Sequence, residues 1–255
     1  MRSPDRYFSN HTIEGETCTL SGVEAHHLIH VMRGERGTKI VLFDGSGAEY
    51  LAQIERVGRT EVELAILSRE GVTRELPIEA TLGVSLPKGD RQQWLIEKAV
   101  ELGVRRVVPV KTARSVAQPV EQALARLKRT VIEASKQCGR NRLMEIGVPL
   151  AWPEFVASAQ GFSTRLLAHP SPSGLEGQAE PSLGTSTAAP LPGPILLAVG
   201  PEGGFTAEEV AMALGGGWHR VSLGPRTLRV ETAAIALVAA VTCEAWGFST
   251  TTQAR

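Results

Sequence analysis

The sequence predicts an α/β protein in which a parallel sheet flanked by helices follows a small β-rich unit. Three observations carry that reading. Residues 1–72 alternate short apolar strands with glycine turns, and one short helix interrupts them. From about residue 76 the pattern becomes strand, helix, strand, which is how parallel neighbours are connected. Toward the C-terminus three apolar runs end in unusual loops: LLAHP, LAVGPEGGF and LGPRTLRVETA.

In chain order, the first helix is expected at HHLIHVM, with Ser21 as N-cap and Glu24 completing a capping box. TKIVLFDGSGAEYLAQIE reads as two strands about the turn Asp44-Gly45-Ser46-Gly47, and TEVELAIL as a third after Val57-Gly58-Arg59. Together they suggest a compact barrel with one helix. ATLGVSLP is the next strand. DRQQWLIEKAVELG is a helix with Trp94, Leu95, Ala99 and Leu102 on one face and Gly103 just past its end. VRRVVPV is a strand, and VEQALARLKRTVIEASKQCG a helix ending at Gly139. RLLAHP and PILLAVG are short buried strands. Between them 16 of the 25 residues from Pro170 to Pro194 are Pro, Gly, Ser or Thr, a surface loop by composition. TAEE caps a helix after GPEGGF, HRVSL is the last strand, and TAAIALVAAVTCEAW is a helix apolar nearly all round. Such a helix needs cover on two sides, from its own sheet or from a second subunit. The division is therefore 1–72, 73–248 and a polar, disordered tail at 249–255.

With 255 residues, 42% of them apolar and 21% charged, the chain has the composition of a globular protein with a sizeable core. No apolar run spans a bilayer, and MRSPDRYFSN contains no apolar signal region. Cys18, Cys138 and Cys243 are odd in number and widely spaced, so free thiols in a cytoplasmic protein are expected. Net charge is zero, yet Lys88 to Arg142 holds 13 Lys and Arg against 5 Asp and Glu. That local excess suggests an anionic partner, with a solvated helix face as the alternative.

GPEGGF follows a buried strand, as phosphate loops do, but lacks their spacing and carries Glu202 where a phosphate would be repelled. Its glycines, with Gly224, leave backbone groups bare enough to hydrogen-bond a purine edge. In an open α/β sheet ligands gather outside the carboxyl ends of strands, so the three loops can line one pocket. His26 and His30 lie four apart, but no Asp, Glu or Cys at ligand spacing accompanies them, and no metal site is expected. No GxSxG follows a strand, which argues against a serine hydrolase.

GPEGGF, LGPRTLRVETA, LLAHP, KAVELGVRRVVPVKTARSV and EASKQCGRNR together resemble the SPOUT methyltransferases. More narrowly they are similar to the bacterial 16S ribosomal RNA (uracil-3-N)-methyltransferase family, whose PUA-like domain is matched by Arg6 to Phe8 and His26 to Arg33. The resemblance runs from about residue 6 to 247. Val230 departs from it where Thr is expected, and Met144 where Pro is usual. It implies a small N-terminal PUA-like β-barrel, a methyltransferase domain with a deep C-terminal trefoil knot around a parallel sheet, and a homodimer. The cofactor implied is S-adenosyl-L-methionine, held by Ala168, His169, Gly200, Pro201, Glu202, Gly204, Leu223, Gly224 and Leu228. The partner implied is 16S rRNA or the 30S subunit, with no membrane and no metal. Glu202 then suits a cationic sulfonium.

Methylating uracil N3 requires loss of its proton, so a base or a cation must assist. Arg229 or Arg140 is the candidate for stabilising the negative charge. Glu231 is the candidate acid/base group, with a helix-capping role as the alternative. Arg6, Arg33, Lys88, Lys98, Arg114, Gln137 and Arg142, with Arg140, would hold RNA. Other readings that remain are the same fold acting on another rRNA or tRNA nucleotide, and a non-catalytic RNA-binding protein.

Overall fold

The computed structural model describes residues 4–115, 121–170 and 193–245. The chain divides into two compact units, and residues 132–143 group with the N-terminal one. The sequence division at residue 72 did not anticipate that return. The proposed 249–255 tail, and most of the Pro/Gly/Ser/Thr-rich loop, lie outside the described residues.

In the N-terminal unit β1 (Arg6–Phe8), β2 (Thr17–Ser21), β3 (Lys39–Phe43), β4 (Glu49–Val57) and β5 (Glu61–Glu70) form one sheet in the order β1-β3-β4-β5-β2. Only β1 and β3 pair in parallel. The β3–β4 hairpin turns where Asp44 accepts the Ser46 N–H at 3.0 Å, an Asx turn the sequence predicts. Inward positions such as Tyr7, Leu42, Tyr50, Ile54 and Leu64 make the core, with Leu28 from the helix. That helix, α1 (Gly22–His26), runs on as a π-helical turn at His27–Val31. Its expected capping box does not form, because Ser21 makes no cap bond. Glu24 is instead buried, accepting the Phe8 N–H at 3.2 Å and pairing with Lys136 at 2.9 Å. A second polar group knits the unit together: Glu49 accepts from Arg6 and Arg74, both at 2.9 Å, and Arg6 also donates to Asn141 at 2.6 Å.

In the C-terminal unit β6 (Ala80–Val84), α2 (Asp90–Glu101), β7 (Arg106–Lys111), α3 (Glu121–Cys138, whose later turns group with the first unit), β8 (Glu145–Ile146), β9 (Leu150–Ala151), α4 (Trp152–Ala157), β10 (Thr164–Ala168), β11 (Ile195–Val199), α5 (Ala207–Gly215), β12 (His219–Val221) and α6 (Val230–Ala245) follow one another. The sheet order is β12-β10-β11-β6-β7-β8, with β9 also on β7, and every pair is parallel. β6 and β11, the central strands, are buried at every position, as strands covered on both faces are.

Two helices depart from the sequence reading. On α2 the buried face is Leu95, Ile96, Ala99 and Val100, and Trp94 is 44% exposed. On α6, Val230, Ala234, Leu237, Val238 and Val241 are buried, and the helix touches α2, β6 and β11. Ile235, Ala236, Ala239 and Ala240 on its other side remain only half-buried in this chain. Composition made the helix look uniform, whereas its own sheet covers one face.

Candidate active site

Because β12, β10 and β11 are adjacent and parallel, their carboxyl ends share one edge of the sheet. The three loops singled out in the sequence therefore meet there. They border a solvent-open cleft with a volume of about 130 Å³.

Each wall has a local cause. The first is Ala168 and His169 at the end of β10, fixed by the His169 N–H donating to the Val221 carbonyl at 3.1 Å. The second is Gly200, Pro201, Glu202 and Gly204 after β11, where the Gly204 N–H closes a turn on the Pro201 carbonyl at 2.8 Å. Phe205 ends that turn, buried against Trp152 with ring centroids 4.5 Å apart. α5 then starts at a full capping box, Thr206 with Glu209, as the sequence predicts. The third wall is Leu223, Gly224 and Leu228 between β12 and α6. Gly224 has φ +98°, a conformation that side chains rarely adopt.

All nine sequence-predicted cofactor residues thus line one cleft. Phe205, Arg226 and Thr227 line it too and were not singled out. The lining is mostly apolar and backbone, a surface suited to a flat heterocycle recognised at its edges. Glu202 is not the unpaired carboxylate that the sequence suggests. Its carboxylate accepts from Arg91 of α2 at 3.2 Å, so its charge is already partnered. Arg91 was missed, and no signal in a single sequence links it to a residue 111 positions away.

The candidate catalytic residues are placed differently from one another. Arg229 is exposed at the entry to α6. Glu231 is 7% exposed; its Oε2 lies 3.6 Å from Arg91 and makes no hydrogen bond. Neither is in the cleft lining, although Leu228 and Val230 beside them are. Arg140 belongs to the N-terminal unit, 2% exposed and forked onto Glu75 at 3.1 and 2.5 Å.

Of the residues expected to hold RNA, Lys88 and Arg114 are exposed in the C-terminal unit, and Arg114 donates to the Gly203 carbonyl at 2.8 Å. Lys98 is engaged on its own helix by Glu97 and Glu101, at 2.9 and 2.7 Å. In the N-terminal unit Arg33, Gln137 and Arg142 are exposed, whereas Arg6 is held by Glu49 and Asn141. Among the described residues no group of three or more His, Cys, Asp or Glu could hold a metal ion, and no helix is long and apolar enough to cross a membrane.

Both parts of the chain have known relatives. Residues 74–242 match the model of an RNA methyltransferase domain, and residues 20–67 that of an RNA methyltransferase PUA domain. The chain is 34% identical to ribosomal RNA small subunit methyltransferase E of Synechocystis, over 85% of this chain and 70% of that protein. It is 30% identical to the protein of the same name from Bacillus subtilis, over 89% and 90%. Among solved structures, that of ribosomal RNA small subunit methyltransferase E from Neisseria gonorrhoeae bound to S-adenosyl methionine superposes with a TM-score of 0.83 at 31% identity, covering 93% of this chain and 96% of that one.

Proposed function

Since this chain belongs to the ribosomal RNA small subunit methyltransferase E family, we propose that it transfers a methyl group from S-adenosylmethionine to N3 of a uridine in 16S rRNA. The observation that carries the reading is the convergence of the three loops on one cleft, whose lining is mostly apolar side chains and backbone, with Arg226 its one arginine. When bound, S-adenosylmethionine supplies a methyl group activated by a sulfonium sulfur. The walls at Gly200, Gly204, Leu223, Gly224 and Leu228 hold its adenosyl part, and alignment of the methyl with the acceptor supplies much of the rate.

At the acceptor, N3 gives up a proton and the uracil ring gains negative charge that spreads to its carbonyl oxygens. Arg229, exposed two residues before Glu231, is the candidate cation for stabilising that charge. Glu231, whose Oε2 makes no hydrogen bond and lies 3.6 Å from Arg91, stays the candidate base. Arg140, already forked onto Glu75, takes a structural part in this scheme. Lys88 and Arg114, with Arg33, Gln137 and Arg142, are the candidates for holding the RNA backbone. A ribosomal substrate puts the enzyme in the cytoplasm.

The same reading includes a SPOUT architecture, in which the last strand and α6 are threaded into a trefoil knot, and a domain division near residue 72. It also includes a homodimer that covers the half-buried Ile235, Ala236, Ala239 and Ala240 of α6. The test is mass mapping of 16S rRNA from cells with and without the gene. Loss of one methyl from a uridine, restored by the purified enzyme with S-adenosylmethionine, is expected; unchanged rRNA would remove the assignment.

A further inference from the structure

GPEGGF is gripped from outside the cleft by two arginines from different elements. Arg91, near the start of α2, reaches Glu202 with Nη2 at 3.2 Å and Glu231 with Nη1 at 3.6 Å. One guanidinium therefore joins two cleft-forming segments, the loop after β11 and the first turn of α6. Arg114, after β7, donates to the Gly203 carbonyl at 2.8 Å. Its side chain lies flat on that glycine: a Cβ at Gly203 would stand 3.3 Å from both Cβ and Cδ of Arg114. The backbone there is further tied by Glu209, which accepts the Ala113 N–H at 2.7 Å and the Thr206 N–H at 2.9 Å.

The two grips differ in strength. The Arg91–Glu202 pair is 38% and 47% exposed and contributes little as an isolated ion pair. Glu231 is 10% exposed at its side chain, and leaving its buried carboxylate without a cation is costly. Arg91 thus faces a buried carboxylate on α6 and is hydrogen-bonded to an exposed one on the loop, an arrangement that links two walls of the cleft. Arg114 makes its bond to a backbone carbonyl from an exposed position.

We propose that Arg91 and Arg114 are positioning residues that hold GPEGGF in its cofactor-binding shape from two flanks. The proposal rests on the cofactor reading above. It assigns Arg114 a task that does not require RNA, and gives Arg91 one that neither sequence nor cleft lining revealed.

Calorimetric titration with S-adenosylmethionine in the absence of RNA tests it. Arg91→Gln and Arg114→Ala should each weaken binding about 3- to 10-fold. Arg91→Gln/Glu231→Gln should bind no more weakly than Arg91→Gln alone, because both changes break one link and Glu231 lies outside the cleft lining. Gly203→Ala should reproduce the effect of Arg114→Ala. Arg91→Lys and Arg114→Lys, which retain charge without the fork, should fall between wild type and the neutral variants, and they decide the matter if a neutral variant does not fold. Wild-type affinity in the folded arginine variants, or additive losses in the double variant, would overturn the clamp. A wild-type protein that binds no S-adenosylmethionine would instead overturn the cofactor reading.

Discussion

Phe205 lies against Trp152 with ring centroids 4.5 Å apart, so the last residue of the GPEGGF loop is part of the hydrophobic core. Trp218 packs on the other side of the same cluster, 6.1 Å from Trp152. Phe205→Ala should cost roughly 3–5 kcal/mol, and at this chain size each kcal/mol lowers the melting temperature about 2–4 °C. Tryptophan fluorescence follows the change directly. Because the core and the cleft share this residue, the cavity should weaken S-adenosylmethionine binding in the fraction that stays folded. A melting temperature within a degree of wild type would mean that the loop is not anchored here.

Gly224 separates backbone strain from side-chain crowding. Its φ is +98°, yet a Cβ there would meet nothing within 4 Å. Gly224→Ala should therefore act through the backbone alone, at about 1–2 kcal/mol. If the third wall relaxes to relieve that strain, cofactor affinity should fall about tenfold, with little change in core packing. Calorimetry and near-ultraviolet circular dichroism on one preparation check both halves.

Glu49 gives the N-terminal unit an acid-sensitive joint. Burial pushes its carboxyl up, but hydrogen bonds from Arg74 and Arg6, with Asn141 assisting, hold it down to about 2 from an ordinary 4.5. A carboxyl depressed on folding contributes stability that is complete above about pH 4.5 and is lost as pH falls through about 2. Wild type should therefore exceed Glu49→Gln in urea midpoint at pH 7, and the gap should close toward pH 2. Both tyrosines, Tyr7 and Tyr50, lie in this unit's core, so tyrosine fluorescence reports on it. A gap that stays constant across this range would show that the pairing is not linked to stability.

The outer face of α6 supplies the dimer prediction. Ile235 is half-buried and Ala239 one turn later equally so. A charge at Ile235 would be tolerated by a monomer at the edge of water but not at the centre of a subunit contact. Ile235→Glu should convert a dimer into a folded monomer by sedimentation velocity. A wild-type protein that sediments as a monomer at micromolar concentration would refute the homodimer.

The sequence made the longer strands, the α5 capping box and the three cleft loops legible because each rests on local signals: apolar runs, Thr206 with Glu209, and glycines at strand ends; the short β1, β2, β8 and β9 and the six-residue α4 carry too little pattern to be read. What it hid was long-range pairing. Glu24 looked like a capping residue and is a buried partner of Lys136, 112 positions away. Trp94 looked like core and is exposed, since helical periodicity alone does not say which arc faces the sheet. Arg140 looked available and is forked onto Glu75. Charged side chains are chosen by partners distant in the chain, so their roles become visible only once those partners are placed.

Cofactor binding in the cleft and methylation at a uridine N3 are tested together by transfer of labelled methyl from S-adenosylmethionine to 16S rRNA or 30S subunits from cells lacking the gene, followed by nucleoside mass spectrometry. Wild-type protein should give one labelled 3-methyluridine per rRNA, and Gly224→Ala strongly reduced transfer. Label on another base, on another position of the ring, or on no rRNA at all would contradict the proposed function.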